Sequence, residues 1–418
     1  MEIVYERVAA VDVGKKVVAV AVRTPGEQPG RRRQQVRKFK TYYQTLAEMV
    51  SWLASEGVVQ VTMEATGVYW KPVFHALCEV EHPFEVLLVN ARHVKNVPGR
   101  KSDALDAAWL AELTECGLLR GSFIPPPEIA AIRELTRYRK KLVEQRTSEF
   151  QRLAKVLEDA GIKIDSVASS LTTMSARDMI EALIRGERDP AVLADLARGR
   201  MRSKISELSL ACAGRFGDQH ALMCILHLEH IDHLADMIAR LDTRIDEATL
   251  PFDAQIALLT TIPGIGERSA QVIISEIGVD MSRFPTAAHL ASWAGLCPGN
   301  NESAGRHRSG RTRKGNKELR EALTESAWAA RQTSTYVGAQ FRRFHRRFGK
   351  KGGRKAAIAT AHTLIVIVWH VLAENSVYRD LGSDYFTRRF DNPEARKRRL
   401  VNELEALGHK VTLEPAAA

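Results

Sequence analysis

The sequence is poor in cysteine and has no pair of cysteines at a spacing that binds metal. Its five cysteines, Cys78, Cys116, Cys212, Cys224 and Cys297, are scattered over 418 residues without a C-x-x-C motif. This pattern argues against a disulfide framework and against a cysteine-based zinc site. It is typical of a protein that works in a reducing cytosol.

A secretory leader and a long apolar run are also lacking. The chain does not open on a signal-peptide pattern. Its most apolar segment, residues 356–373, carries two histidines and is short for a membrane span. We therefore predict that this segment is a buried helix, that the protein has no membrane partner and that it is cytoplasmic.

Acidic residues are outnumbered by basic ones. The chain has 61 Lys and Arg against 50 Asp and Glu, a net charge of +11 and an isoelectric point of about 9.5. A basic balance of this size predicts a polyanionic partner, and nucleic acid before a membrane surface. A role in solubility alone is the alternative.

Runs rich in β-branched residues alternate with helical patterns in the N-terminal part of the chain. We predict strands at 8–13, 17–22, 34–40, 58–64 and 84–89, and helices at 43–56, between the last two strands and from about residue 102. The order of three strands, helix, strand, helix, strand and helix predicts a ribonuclease H-like α/β domain. In such a domain, helices cover the faces of a mixed sheet.

Four acidic residues occupy positions that this fold would bring together. Asp12 ends the first strand, Glu64 ends the fourth, and Asp103 and Asp106 stand three apart on one face of a helix. Clustered carboxylates repel one another unless a cation binds, and hard oxygen ligands suit Mg²⁺ or Mn²⁺. Two such ions can hold both oxygens of a phosphoryl transfer. Taken singly, Asp12 is also typical of a turn cap, and Asp103 of a charge favoured by the helix dipole.

The middle of the chain is predicted to be helical, with long helices at about 129–160 and 219–248. Apolar positions in the second helix alternate spacings of three and four, which is the seam of a coiled coil: Ile231, Leu234, Ile238, Leu241, Ile245 and Ala248. The seam fits an internal antiparallel helix pair and a subunit contact equally well.

The segment 258–278 reads as helix, Pro-Gly-Ile-Gly turn and helix, the pattern of a helix-hairpin-helix. Gly264 and Gly266 would allow backbone N–H groups at the start of the second helix to bind a phosphate without reading sequence. A simple corner between two helices is the alternative.

A glycine-rich basic stretch follows, with cations at Arg306, Arg308, Arg311, Arg313, Lys314 and Lys317. Two hydroxyls, Ser303 and Ser309, stand among them. Arginines lower the cost of ionising a serine and stabilise charge on a phosphorane, so a nucleophilic serine is one interpretation. A phosphate-binding loop without chemistry is the other.

These motifs together resemble a known family. "MEATGVYW", "NARHVKNVPGRKSDALDA", "IPGIG" and "GLCPGNNESAGRHRSGRTRKGNKELR", in this order, are similar to the DEDD transposases of insertion-sequence family one hundred and ten, the bridge-RNA-guided recombinases. The resemblance covers nearly the whole chain. It implies a RuvC-like DEDD catalytic domain at 1–125, a helical coiled-coil domain at 126–252, a mostly helical transposase domain at 253–375 and a charged tail at 376–418.

The resemblance also implies roles and partners. The tetrad would be Asp12, Glu64, Asp103 and Asp106, and the serine before a small-Gly-basic run would be Ser303, which forms a 5′-phosphoserine link to DNA. Target and donor DNA, a structured bridge RNA and a homo-oligomer that grows from dimer to tetramer would be the partners, at the bacterial nucleoid. Two other hypotheses stay open: a metal-dependent nuclease or junction resolvase without a serine nucleophile, and a nonenzymatic nucleic-acid scaffold.

Overall fold

The computed structural model describes residues 3–28, 30–65, 67–89, 106–299, 302–303, 306–307, 310–390 and 393–413. The chain divides into two units, Met1–Ile124 and Pro125–Ala418. The sequence-based boundaries after residues 252 and 375 fall inside the second unit and stay predictions.

A five-stranded mixed sheet forms the first unit. Its strands are β1 (Val8–Val13), β2 (Val17–Pro25), β3 (Arg32–Lys40), β4 (Gln60–Glu64) and β5 (Glu85–Val89). They are ordered β3-β2-β1-β4-β5, with antiparallel pairing among the first three strands and parallel pairing of β4 to both β1 and β5. The apolar run of β1 therefore lies at the centre of the sheet, where both faces are covered.

Helices cover both faces of this sheet. Alternate side chains of β1, Ala9, Val11 and Val13, pack in a cluster with residues of α1 (Tyr43–Ser55) and α2 (Trp70–Cys78). The intervening Ala10 packs on the other face, against α3 (Asp106–Glu115). The mixed α/β architecture predicted for this part of the chain is confirmed.

The second unit is helical and is built on two long helices, α4 (Pro127–Asp159) and α9 (Asp218–Thr249). They run antiparallel, because Arg139 in the first half of α4 binds Asp242 near the end of α9, at 2.5 Å, whereas Asp159 at the end of α4 is 3.0 Å from His220 at the start of α9. The internal antiparallel pair, one of the two interpretations of the α9 seam, is therefore present, and the subunit contact stays a prediction. Leu234 and Ile238 are buried against Leu142 of α4.

Shorter helices complete the second unit. Between the long pair lie α5 (Ile164–Val167), α6 (Met174–Ile184), α7 (Pro190–Asp195) and α8 (Ile205–Ala211), and after it come α10 (Asp253–Thr260), α11 (Glu267–Ile277), α12 (Ala287–Trp293), α13 (Lys317–Ala330), α14 (Tyr336–Phe348), α15 (Gly353–Ala373), α16 (Tyr385–Phe390) and α17 (Pro393–Ala406). By length and composition α15 alone among the described helices is apolar enough to cross a membrane. Half of its most apolar stretch is buried, as in the core helix predicted there, and this does not indicate a membrane protein.

Candidate active site

The structure places Asp12 and Glu64 side by side. Val11 of β1 pairs with Met63 of parallel β4, so the next residues along each strand, Asp12 and Glu64, stand at the same level. Their neighbours Val11 and Met63 both point into the cluster formed with α1 and α2. Because side chains alternate along a strand, both carboxylates point to the opposite face, across a strand spacing of about 5 Å.

Helix α3 lies on that opposite face and runs antiparallel to β1. Its last residue, Glu115, accepts a hydrogen bond of 2.9 Å from the backbone N–H of Val4, just before the start of β1. Glu115 also binds Arg23, at 2.8 Å, and Arg23 pairs with Val8, the first residue of β1. The C-terminal end of α3 is thus fixed at the amino end of the strand.

This direction brings the first residue of α3 to the acidic end of the sheet. The ten residues of α3 span about 15 Å, and the strand from Val8 to Asp12 spans about 13 Å. The backbone of Asp106 therefore reaches the level of Asp12 and Glu64. Asp103, the fourth predicted acid, lies outside the described residues.

The described carboxylates fit a divalent metal by their chemistry. Asp12 and Glu64 are partly buried, adjacent and on one face, and carboxylate oxygens are the donors that Mg²⁺ and Mn²⁺ prefer. Among the described residues, no group of three or more His, Cys, Asp and Glu is placed to hold a metal. Asp103 and the side chain of Asp106 lie outside what the structure describes, so the four-carboxylate site stays a prediction.

The described residues of the serine segment include short β-pairs, where its glycines predicted a loop; we call these paired residues the ribbon. Pro298 pairs with Thr312 near its base, and β6 (Glu302–Ser303) pairs with β7 (Arg306–His307) further out. In this register the backbone of Ser303 is opposite that of Arg306. Two other predicted residues, Arg308 and Ser309, lie outside the described part.

The base of the ribbon is held by a close crossing of two glycine backbones. Gly295 adopts a φ of +71°, and a Cβ at this position would lie 2.7 Å from the backbone nitrogen of Gly315. A Cβ on Gly315 would lie 2.3 Å from the nitrogen of Gly295. Neither residue can carry a side chain without moving the other backbone segment.

A buried carboxylate fixes the residue that follows the ribbon. Asn316 caps α13 by accepting a hydrogen bond from the N–H of Leu319, and its side chain donates to Glu276 at 2.6 Å. Glu276 is fully buried and accepts two hydrogen bonds from Arg137, of 2.7 and 2.8 Å. The sequence analysis missed Glu276, although a lone acid in the apolar run "VIISEIG" is an available signal.

The pKa values of the two arginines around Glu276 are shifted in opposite directions. The hydrogen bond to Glu276 raises the pKa of Arg137 above its ordinary value. Burial lowers the pKa of Arg133, which donates to the backbone carbonyls of Ser275 and Glu276. Because Arg pKa values start far above neutrality, both guanidiniums stay charged, and Glu276 is paired with cations donated by α4.

The predicted cations of the ribbon that the structure describes lie on its surface. Arg311, Arg313, Lys314 and Lys317 are all exposed. Lys317 is 3.8 Å from Glu321, one turn along α13. The sequence predicts that these cations bind nucleic acid, and this stays a prediction.

The two glycines of the helix-hairpin-helix segment have different surroundings. Gly264 has a φ of +91°, and a Cβ there would lie 2.2 Å from the carbonyl oxygen of Ser326 in α13. Gly266 stands just before α11, and a Cβ added to it would have no atom within 4 Å. Gly264 thus packs the hairpin against α13, and phosphate binding at Gly266 stays a prediction.

We expect Gly264→Ala to lower the free energy of unfolding by roughly 2–4 kcal/mol, because it combines a strained φ with a clash against backbone. Gly266→Ala is the matched control and should cost less than about 1 kcal/mol, since its φ is ordinary and space is open. Urea unfolding of the two variants measures both values. Equal losses would contradict the packing role of Gly264.

A sheet that presents adjacent carboxylates on one face, together with a helical unit that carries an exposed basic ribbon, is typical of proteins that process nucleic acids. Residues 9–162 match a family model of DEDD transposases, and residues 256–345 match the model described as transposase IS116/IS110/IS902 family. Together the matches span more than half of the chain. The protein belongs to this IS110 family and is a DNA transposase.

Curated relatives agree with this assignment. An uncharacterised 43.6 kDa protein of insertion element IS110 from Streptomyces coelicolor is 26% identical over 67% of this chain and 73% of its own length. The transposase of insertion element IS1111A from Coxiella burnetii is 24% identical over 80% and 83%. The pilin gene-inverting protein of Moraxella bovis is 34% identical over 35% of this chain and 47% of its own length.

Proposed function

We propose that this transposase cuts and rejoins the DNA of a mobile insertion sequence through a phosphoserine intermediate at Ser303, with divalent metal at an acidic tetrad and a structured bridge RNA as guide. The observation that carries the proposal is the register of β1 and β4, which sets Asp12 beside Glu64 on the face of α3. The RNA rests on the resemblance of the motifs alone.

The first unit is proposed to be a ribonuclease H-like, RuvC-like domain. Its strand order, with three antiparallel strands continued by two parallel ones, supports this assignment. So does the antiparallel course of α3, because it brings the backbone of Asp106 to the carboxylates of the sheet.

The tetrad Asp12, Glu64, Asp103 and Asp106 would hold Mg²⁺ or Mn²⁺. A bound divalent ion supplies Lewis-acid stabilisation of charge on a phosphoryl oxygen. The contribution of the chain is to fix two of the oxygen ligands on a rigid sheet, so that their spacing does not depend on a loop.

The ribbon would supply the nucleophile. As the bond from Ser303 Oγ to phosphorus forms, the bond from phosphorus to the 3′ oxygen breaks, which leaves a 5′-phosphoserine and a 3′ hydroxyl. The serine proton passes to solvent water, and the departing 3′ oxygen takes up a proton from solvent water, so that the step conserves charge and atoms. Backbone pairing keeps Arg306 level with Ser303, and an arginine at this level suits the charge of the reacting phosphate.

A metal-dependent nuclease without a serine nucleophile is the second candidate. It is favoured by one observation: Asp12 and Glu64 both belong to the first unit, whereas Ser303 belongs to the second. In this alternative, water attacks the phosphate and the ribbon only binds the DNA backbone. Cleavage would then leave no covalent link between protein and DNA.

A trapped reaction with DNA distinguishes the two candidates. The protein is incubated with a plasmid that carries the ends of the insertion sequence, denatured and digested with trypsin. Trypsin separates the two serines, because Ser303 lies in the peptide 284–306 and Ser309 in the peptide 309–311. We expect the nucleotide adduct on peptide 284–306. Cleavage without any adduct would establish the nuclease.

A further inference from the structure

Six exposed cations surround the turn between α14 and α15. They are Arg346, Arg347, Lys350, Lys351, Arg354 and Lys355, and we call them the α14–α15 basic patch. These six cations lie within the ten positions 346–355, whereas the six cations of the serine segment lie within the twelve positions 306–317. The patch is therefore at least as dense in charge as the serine segment.

The patch is not neutralised by its surroundings. Residues 326–373 contain neither Asp nor Glu. In the part of the chain that the structure describes, no carboxylate forms an ion pair with any of the six side chains. The positive charge is therefore open to solvent and to a polyanion.

Several other cations of the second unit form ion pairs. Arg177 of α6 binds Glu181 and Asp232, at 2.5 and 2.8 Å. Lys140 of α4 binds Glu318 of α13, at 2.6 Å. What distinguishes the patch is that six exposed cations without an ion pair among the described residues lie within ten positions of the chain.

Folding alone does not account for the patch. Arg346 and Arg347 stand in the last turn of α14, where the helix dipole favours cations. Arg354 and Lys355 stand in the first turn of α15, where the dipole disfavours them, and that turn has no acidic residue. Six like charges in ten positions also repel one another. A bound polyanion would remove both costs.

The patch lies at the end of α13 that is remote from the serine ribbon. Trp328, near the C-terminal end of α13, contacts Phe341 of α14. A Cβ on Gly353, the first residue of α15, would lie 2.9 Å from the ring of Trp328. The ribbon instead leads into the start of α13 at Lys317. The 14 residues between these ends span about 20 Å. Cations at this distance can hold a ligand without touching the reacting phosphate.

We propose that the α14–α15 basic patch binds the phosphate backbone of duplex DNA, independently of sequence, and holds the duplex away from the site of chemistry. The proposal rests on the proposed function, since the family acts on DNA. Exposed Lys and Arg without acceptors on the protein suit phosphate oxygens, and contacts to phosphate position a duplex without reading its bases.

The test compares two variants that lose the same charge. The patch variant carries Arg346→Gln, Arg347→Gln, Lys350→Gln and Lys351→Gln. The control variant carries Lys141→Gln, Lys155→Gln, Arg200→Gln and Arg240→Gln, four exposed cations that lie far apart along the second unit and form no ion pair among the described residues. Binding to a duplex of random sequence is measured between 0.05 and about 0.3 M salt, a range in which phosphate contacts dominate.

We expect the patch variant to lose about tenfold in affinity per lost contact near 0.1 M salt, and its plot of log K against log salt to flatten by about 0.9 per contact. The control should keep the wild-type slope. Thermal unfolding at or above the wild-type midpoint verifies that the variant folds.

Other results would overturn the inference. Equal losses in both variants would show a net-charge effect, and wild-type binding by the patch variant would show that the patch does not touch DNA. A loss of binding to duplex RNA with duplex DNA unaffected would assign the patch to RNA. If the wild-type protein binds no duplex DNA at all, the proposed function fails as well, which separates that outcome from the others.

Discussion

Asp12→Asn and Glu64→Gln are each expected to reduce DNA cleavage by at least about 1000-fold while the protein stays folded. Each change keeps the shape of the side chain and removes one of two adjacent carboxylates on the face of α3. In the proposed site these carboxylates would hold a divalent metal, whose loss would remove several kcal/mol of transition-state stabilisation, and about 4 kcal/mol corresponds to a factor of 1000. Cleavage of supercoiled plasmid in Mg²⁺ measures the effect.

Two controls make this result specific. Glu85→Gln changes an exposed acid at the far end of the neighbouring strand β5 and should leave cleavage unchanged. Addition of Mg²⁺ or Mn²⁺ should raise the unfolding temperature of the wild type, because a ligand of the folded state stabilises it, and should do so less for Asp12→Asn. Wild-type cleavage by both Asp12→Asn and Glu64→Gln would refute the metal site.

Ser303→Ala is expected to abolish the covalent protein–DNA adduct and to reduce strand exchange below about one thousandth of the wild-type rate. A serine nucleophile has no substitute once its oxygen is removed. DNA binding should persist with the wild-type salt dependence, because the hydroxyl carries no charge. Denaturing gels resolve the adduct, and filter binding measures affinity.

Ser309→Ala is the matched control, since it removes the same group six residues along the chain. We expect it to keep the adduct. An adduct that disappears in Ser309→Ala and survives in Ser303→Ala would show that the nucleophile is Ser309. Undiminished cutting by Ser303→Ala, without an adduct in the wild type, would replace the recombinase by the nuclease.

The sheet was predictable because its signals are local. β1 occupies residues 8–13 as predicted, and β2 and β3 extend the predicted 17–22 and 34–40 by only a few residues. The runs of Val and Ala on either side of the turn in "DVGKK" predict the first two strands from neighbouring residues alone. The convergence of Asp12 and Glu64 followed from their places at strand ends.

The surroundings of the ribbon were not predictable in the same way. The pairing of Pro298 with Thr312 depends on the crossing of Gly295 and Gly315, which lie 20 positions apart and carry no periodic signal. Glu276 likewise finds Arg137 more than 100 residues away. Contacts of this kind come from tertiary packing, which overrides local propensity.

The partner of the apolar seam of α9 could not be predicted from the sequence either. A heptad pattern states that one face of a helix is buried, but not which helix buries it. The buried pairs with α4 show that here the partner lies in the same chain.

The glycine crossing at the base of the ribbon also bears on how such a protein evolves and can be engineered. Most tightly packed pairs can exchange a large and a small residue, so that one substitution rescues another. Gly295 and Gly315 have no such route, because each already lacks a side chain and each backbone fills the space that the other would need. We therefore expect a substitution at Gly295 or Gly315 to have no compensating change at the other position, so that both positions stay glycine in any functional variant of this unit.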